Sequence, residues 1–277
     1  MVKNWKNLIP VYIVLIVAVL LVALPFYLTL IAAFKTPIEN RQDFFAFPTS
    51  LYLGNFQAIL ESPRYFIALR NTIYIAVASI VGMIVFMPAA SYAIARKMNV
   101  SRTYRWLYSF MLIGIFIPFH VRMIPLVRIA STLSLTNIHG IIVLYIAGTT
   151  AEAIFLYVGY IHAIPTELEE AARVDGASTL RTYKSIIFPL MKPMIVTVII
   201  KDVLWIWNDF QLALFMLNRT PDHWTLTMFQ YNFRWRHSAD PTMIMTSFVL
   251  TMLPIFIAYL FAQKHIIGGL VSSGIKS

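Results

Sequence analysis

Glu152, Lys201, Asp202 and Asp209 are ionisable side chains set inside long apolar runs. In hydrocarbon each such group costs at least about 2.5–3.5 kcal/mol unless it is paired or wet, so their chemistry is ion pairing, proton or cation relay, or contact with a polar solute. Lys201 and Asp202 are neighbours that point about 100° apart on a helix, so each needs its own partner. Glu152 is the preferred partner of Lys201, and Asp209 stands beside Asn208 near the end of its run. No catalytic residue is identified. His120, His139, His162, His223, His237 and His265 show no metal-ligand spacing, no Ser, His and Asp set stands out, and with 0 Cys there is no thiol chemistry. Gly269, Gly274 and Lys276 imitate a phosphate loop, but the lysine falls one position late and no helix follows to hold phosphate.

A second group of charges has another character. Glu167, Glu169, Glu170 and Asp175 crowd into IPTELEEAARVDGASTLRTYKSIIFP, residues 164–189, in a chain with only 12 Asp and Glu. Pro165 and Thr166 open a short helix there, with Thr166 and Glu169 spaced as a capping box. Gly176 closes it in a left-handed turn, Ser178 caps a second helix, and that helix stops before Pro189. Leu168, Ala171, Ala172, Leu180, Tyr183, Ile186 and Ile187 give the pair apolar faces. Such a knob either docks on a partner or folds back on its own helix ends.

The elements that hold these residues are membrane spans. The chain has 277 residues, is 59% hydrophobic and only 12% charged, with a mean hydropathy of +0.73. Soluble domains carry about 25% charged residues. The net charge of +10 comes from short basic clusters between apolar runs, which is topogenic charge and not a nucleic-acid face. A span needs about 20 apolar residues, which gives six candidates: 9–34, 71–95, 106–127, 138–161, 191–217 and 242–263. The third is interrupted by Pro118, His120, Arg122 and Pro125 and is expected to bend or re-enter. The uncharged run from Leu8 to Phe34 is too long for a signal peptide and reads as a retained span. Lys and Arg are denser on the side that holds both termini and the acidic loop, so that side is expected to be cytoplasmic. The organisation expected is a first span with an outer-surface segment (1–66), a core transmembrane domain (67–264) containing loop 162–190, and a cytoplasmic tail (265–277).

Glu170-Ala171-Ala172, three residues, Gly176, nine residues, then Ile186, Ile187, Phe188 and Pro189 is similar to the EAA loop of binding-protein-dependent ABC importer permeases, E-A-A-x3-G-x9-I-x-L-P, with Phe188 in place of Leu. Residues 89–96 (AASYAIAR), 164–178, Trp207-Asn208-Asp209-Phe210 and 263–276 extend the likeness over nearly the whole chain. They resemble the MalG-like half of maltose-type carbohydrate importers. The resemblance implies an all-α polytopic protein of about six spans with the type I importer permease fold. It implies a multi-pass protein of a bacterial or archaeal cytoplasmic membrane that moves a carbohydrate, an oligosaccharide or disaccharide, by alternating access. Implied partners are a second, MalF-like permease, two ATPase subunits that carry ATP and Mg, an extracytoplasmic sugar-binding protein and membrane lipid. No cofactor belongs to this chain itself. Glu170, Ala171, Ala172, Asp175, Gly176 and Pro189 would couple to the ATPase, and Gly269, Gly274 and Lys276 would lie in a tail that touches it. The Trp207–Phe210 patch faces the translocation pathway in that family, whose sugar is held mainly by the other permease. Pairing at the interface with that permease is the competing reading for Glu152, Lys201, Asp202, Asn208 and Asp209. Other readings are an ion-coupled secondary transporter that uses the in-membrane carboxylates, and, within the family, a glycerol-phosphate or polyol permease. The aromatic stretch from Trp224 to Trp235 reads as an interfacial anchor, or as a stacking or docking surface.

Overall fold

The computed structural model describes residues 8–236 and 240–274, with the side chains of 235 and 262–274 outside the description. Among the described residues every regular element is helical. In chain order these are α1 (Ile9–Ala33), α2 (Pro37–Gln42), α3 (Gly54–Leu60), α4 (Pro63–Lys97), α5 (Arg102–Ile115), α6 (Phe119–Thr132) and α7 (Ile138–His162). There follow α8 (Glu167–Val174), α9 (Thr179–Thr182), a π-turn at Tyr183–Ile187, α10 (Phe188–Leu190), α11 (Lys192–Asn208), α12 (Gln211–Leu217), α13 (Leu226–Arg236) and α14 (Pro241–Gly274).

Length and apolarity suffice for a membrane crossing in four helices, α1, α4, α7 and α14 up to Phe261, or in five if the bent α5–α6 pair counts as one span. The bend is 108° and falls at Phe116–Pro118, where proline removes a backbone donor and excludes the helical conformation from the residue before it. The fifth expected span does not run unbroken. α11 has 17 residues, and Asp209 leaves the helical conformation at φ −69°, ψ 123° before α12 begins. α4 starts earlier than hydropathy suggested, because Pro63 opens its first turn and the helix runs 35 residues through Pro88.

The chain divides into two compact units. The first comprises Met1–Phe66 and Phe229–Pro254. In it α1 buries only Ile31, Ala32 and Ala33. Lys35 is fully buried, and its ammonium donates to the carbonyls of Asp43 (2.9 Å) and Phe44 (3.3 Å). Asn55 donates to the carbonyls of Ala33 and Lys35. Thr36 caps α2 by accepting the Glu39 amide, while the Glu39 carboxylate accepts the amide of Thr49. That backbone donor holds the exposed carboxyl of Glu39 below its ordinary value. Phe229 is buried with its ring edge-on to Tyr65.

The second unit, Ile67–Met228 and Ile255–Ser277, contains the apolar core formed by α4, α7, α11 and α12 around Met87, Tyr145, Tyr157, Ile161, Met191 and Leu212. Asn137 caps α7 by accepting the amides of His139 and Gly140. Gly140 packs so closely on the preceding turn that a Cβ there would lie 1.7 Å from the Leu135 carbonyl oxygen. Trp224 packs against this core, and its indole N–H donates to the Asn218 carbonyl, so part of the aromatic stretch serves packing.

Candidate functional site

The acidic loop is a helical corner whose second arm feeds into α11. Its first helix ends in a Schellman motif: Gly176 adopts φ 77°, its amide donates to the Arg173 carbonyl (3.0 Å), and the Ala177 amide reaches back to Ala172 (2.9 Å). Ser178 then caps α9 by accepting the Arg181 amide at 3.3 Å. The left-handed turn at Gly176 and the cap at Ser178 agree with the sequence expectation. Two other expectations are corrected. The second helix does not stop before Pro189, because the widened π-turn Tyr183–Ile187 accommodates the proline ring and the chain continues through α10. The Thr166–Glu169 capping box is absent, since Thr166 is itself in helical conformation and makes no side-chain cap bond.

Glu169 has a different task. It is 3% exposed, and its carboxylate accepts the Tyr92 hydroxyl at 2.7 Å and Arg96 Nε at 2.6 Å. A second guanidinium nitrogen of Arg96 donates to the Ile164 carbonyl (3.1 Å). The Tyr92 ring stacks on Tyr183 at 5.5 Å, and His162 Nε2 lies 3.2 Å from the Ala95 carbonyl. The last turns of α4 thereby grip the start of the loop, its first helix and its second. Charge-assisted hydrogen bonds contribute about 1.5–3 kcal/mol against about 1 kcal/mol for a cap, so the guanidinium outcompetes the cap for the carboxylate. Sequence reading missed Tyr92, Arg96 and Glu169 in this role. The signal was present: Glu169 shares a face of α8 with buried Ala172, three residues on, and Arg96 follows a long uncharged run.

The residues singled out by motif lie mostly on the opposite side of the corner. Glu170, Ala171, Asp175, Gly176 and Pro189 are exposed, whereas Ala172 is buried. Beside them Val174 is 87% exposed, and Leu168 and Leu180 are also uncovered. A Cβ at Gly176 would meet nothing within 4 Å, so the positive φ alone demands glycine there. Burial pushes the Tyr183 phenol up.

In the apolar helices Lys201 Nζ lies 2.7 Å from the Glu152 carboxylate, as expected, and also 3.0 Å from Asp202 Oδ1. The expectation of separate partners for Lys201 and Asp202 is corrected, because the flexible lysine stem spans both carboxylates. Asp209 accepts the Tyr145 hydroxyl at 2.7 Å and the amides of Leu212 and Ala213, so its carboxylate fixes the break between α11 and α12. Its own carbonyl accepts from Thr227 Oγ1. Asn208 is exposed, with its amide nitrogen donating to the Leu204 carbonyl. Gly269 and Gly274 fall in the stretch of α14 whose side chains are outside the description, and Lys276 lies outside the described residues. No group of three or more His, Asp or Glu that could hold a metal ion occurs among the described residues.

Several helices long and apolar enough to cross a membrane, with an exposed polar helical corner between two of them, define an integral membrane protein. The family model described as "Binding-protein-dependent transport system inner membrane component" matches residues 87–270, and the chain belongs to that family. It is 40% identical over 275 residues to the multiple sugar-binding transport system permease protein MsmG of Streptococcus mutans, covering 98% of this chain and 96% of that relative. It is 31% identical over 255 residues to the melibiose/raffinose/stachyose import permease protein MelC of Bacillus subtilis, covering 91% of each. Its fold matches a chain of a bacterial ABC transporter involved in the import of the acidic polysaccharide alginate, with a TM-score of 0.82 at 21% identity over 95% of this chain and 98% of that one.

Proposed function

We propose that this permease forms half of the translocation pathway of an ATP-driven importer for a neutral oligosaccharide or disaccharide. The observation that carries the reading is the glycine-cornered loop. It offers Glu170, Ala171 and the bare Val174 outward, while Glu169 ties its other side to α4. A helix that presents small and apolar residues outward, gripped from behind by a spanning helix, transmits force when a partner moves it. That partner is one of two ATPase subunits, which bind ATP and Mg, and Glu170, Ala171, Ala172, Asp175, Gly176 and Pro189 form or shape the docking surface. The second permease completes the pathway, and an extracytoplasmic binding protein delivers the solute. Both termini and the loop are cytoplasmic, which puts Gly269, Gly274 and Lys276 near the ATPases. The sugar class rests on the relatives above. An ion-coupled transporter is not favoured, since Glu152, its first candidate carrier, is held by Lys201.

The test is purification of the chain from its native membrane with its partners, followed by reconstitution. An ATPase should co-purify, and uptake of labelled melibiose, raffinose, stachyose or maltotriose should need ATP and the binding protein. Uptake that collapses with an uncoupler and ignores ATP depletion would sink this reading.

A further inference from the structure

We infer that the cavity between α6, α7 and α11 is a saccharide subsite carried by this subunit, an assignment that rests on the importer reading above. The cavity measures about 240 Å³ and is lined by Phe119, Arg122, Glu152, Lys201, Asp202 and Trp205 among others. Two of its polar walls each keep one atom short of a partner. Asp202 is 1% exposed; its Oδ1 lies 3.0 Å from the Lys201 ammonium, while its Oδ2 is buried without a donor. Arg122 spends one guanidinium nitrogen on the Gly148 carbonyl (3.2 Å), while its Nε is buried without an acceptor. A buried donor or acceptor left unmade costs about 1–3 kcal/mol, more when charged. Both therefore call for an occupant.

The chemistry of the walls selects that occupant. A metal ion or proton would serve Asp202 and leave Arg122 Nε without an acceptor, and a phosphate or carboxylate would do the reverse. A hydroxyl both donates and accepts, so vicinal hydroxyls match the pair. The four ionic side chains, Arg122, Lys201, Glu152 and Asp202, sum to zero formal charge, which suits a neutral ligand. The remaining wall is aromatic: Phe119 and Trp205 meet edge to face at 5.4 Å, the Arg122 guanidinium lies over the Phe119 ring at 5.9 Å, and the indole of Trp205 lines the cavity beside them. Charged and aromatic groups around a partly open cavity in the apolar region are what a passing polyhydroxylated solute requires.

The experiment uses the whole transporter in proteoliposomes with saturating binding protein. It measures solute moved per ATP hydrolysed, for whichever of melibiose, raffinose, stachyose and maltotriose the wild type takes up best. Asp202→Asn and Arg122→Gln should each lower that ratio at least tenfold while leaving ATPase stimulation by loaded binding protein within about twofold. Trp205→Leu should lower it too, and Trp205→Phe, which keeps a ring in the cavity wall, should restore most of it with ATPase stimulation unchanged. If either charge variant fails to assemble, the Trp205 pair decides. An unchanged ratio in all assembled variants means the cavity holds only water or a side chain of the second permease, and overturns the subsite. ATPase stimulation lost in step with uptake also overturns it, since that marks a coupling or structural defect. Absence of ATP-dependent uptake in the wild type refutes the importer reading and the subsite together.

Discussion

Glu169 and Gly176 act through different physics although they sit seven residues apart. Glu169→Ala leaves the Arg96 guanidinium without its counter-ion and the Tyr92 hydroxyl without an acceptor in a buried place. Breaking such a pair costs about 3–5 kcal/mol, so the variant should show a lower thermal midpoint in detergent and weaker coupling of ATP hydrolysis to uptake. Glu169→Gln, which still accepts from Tyr92, should lose less. At Gly176 the cost is confined to the backbone, since a side chain would have open space. Gly176→Val should destabilise the corner by about 1–2 kcal/mol or more, reducing ATPase association in a pull-down while solute binding to the binding protein stays unchanged. Gly176→Asn should be milder, because asparagine tolerates positive φ. Glu39 gives a pH prediction. Its folded value is lowered by the Thr49 amide, so its contribution is present above the ordinary glutamate range and is lost as pH falls through the folded value. Protection factors of the amides across 36–49, taken relative to intrinsic exchange at each pH, should fall in acid, and Glu39→Gln should remove that pH dependence.

Among the elements, the junctions carry the information. The Asp209 carboxylate joins α11, α12 and the Tyr145 hydroxyl of α7. Tyr145→Phe should cost about 1–3 kcal/mol by leaving a buried acceptor short of a donor, read as a fall in thermal midpoint with little change in ATPase association. The turn before α7 is tighter still: a Cβ at Gly140 would overlap the Leu135 carbonyl, backbone that cannot swing aside. Gly140→Ala should therefore lower expression and thermal stability by more than an average helix-surface substitution, by about 1–3 kcal/mol. The α5–α6 bend was legible because proline has a local, sequence-visible effect. The passage of α9 through a π-turn into α10 was not, because a proline that ends an isolated helix can be absorbed when the flanking segments are packed.

At the scale of the molecule, α1 presents almost all of its length outward, a surface suited to lipid or a second spanning subunit. Removal of the binding protein or depletion of ATP should abolish uptake in the reconstituted system, whereas an uncoupler should leave it intact. The sequence by itself determined that the protein lives in a membrane, where it bends, and which loop is polar, because hydropathy, proline and glycine act over a few residues. It also paired Lys201 with Glu152, since charges in apolar runs have few partners to choose from. Only the tertiary structure decided that Glu169 faces inward to Arg96 and Tyr92, that Lys201 also reaches Asp202, and that Arg122 and Asp202 share one cavity. Those outcomes depend on which helices lie side by side, and side-chain partners tens of residues apart are set by packing that no local pattern encodes.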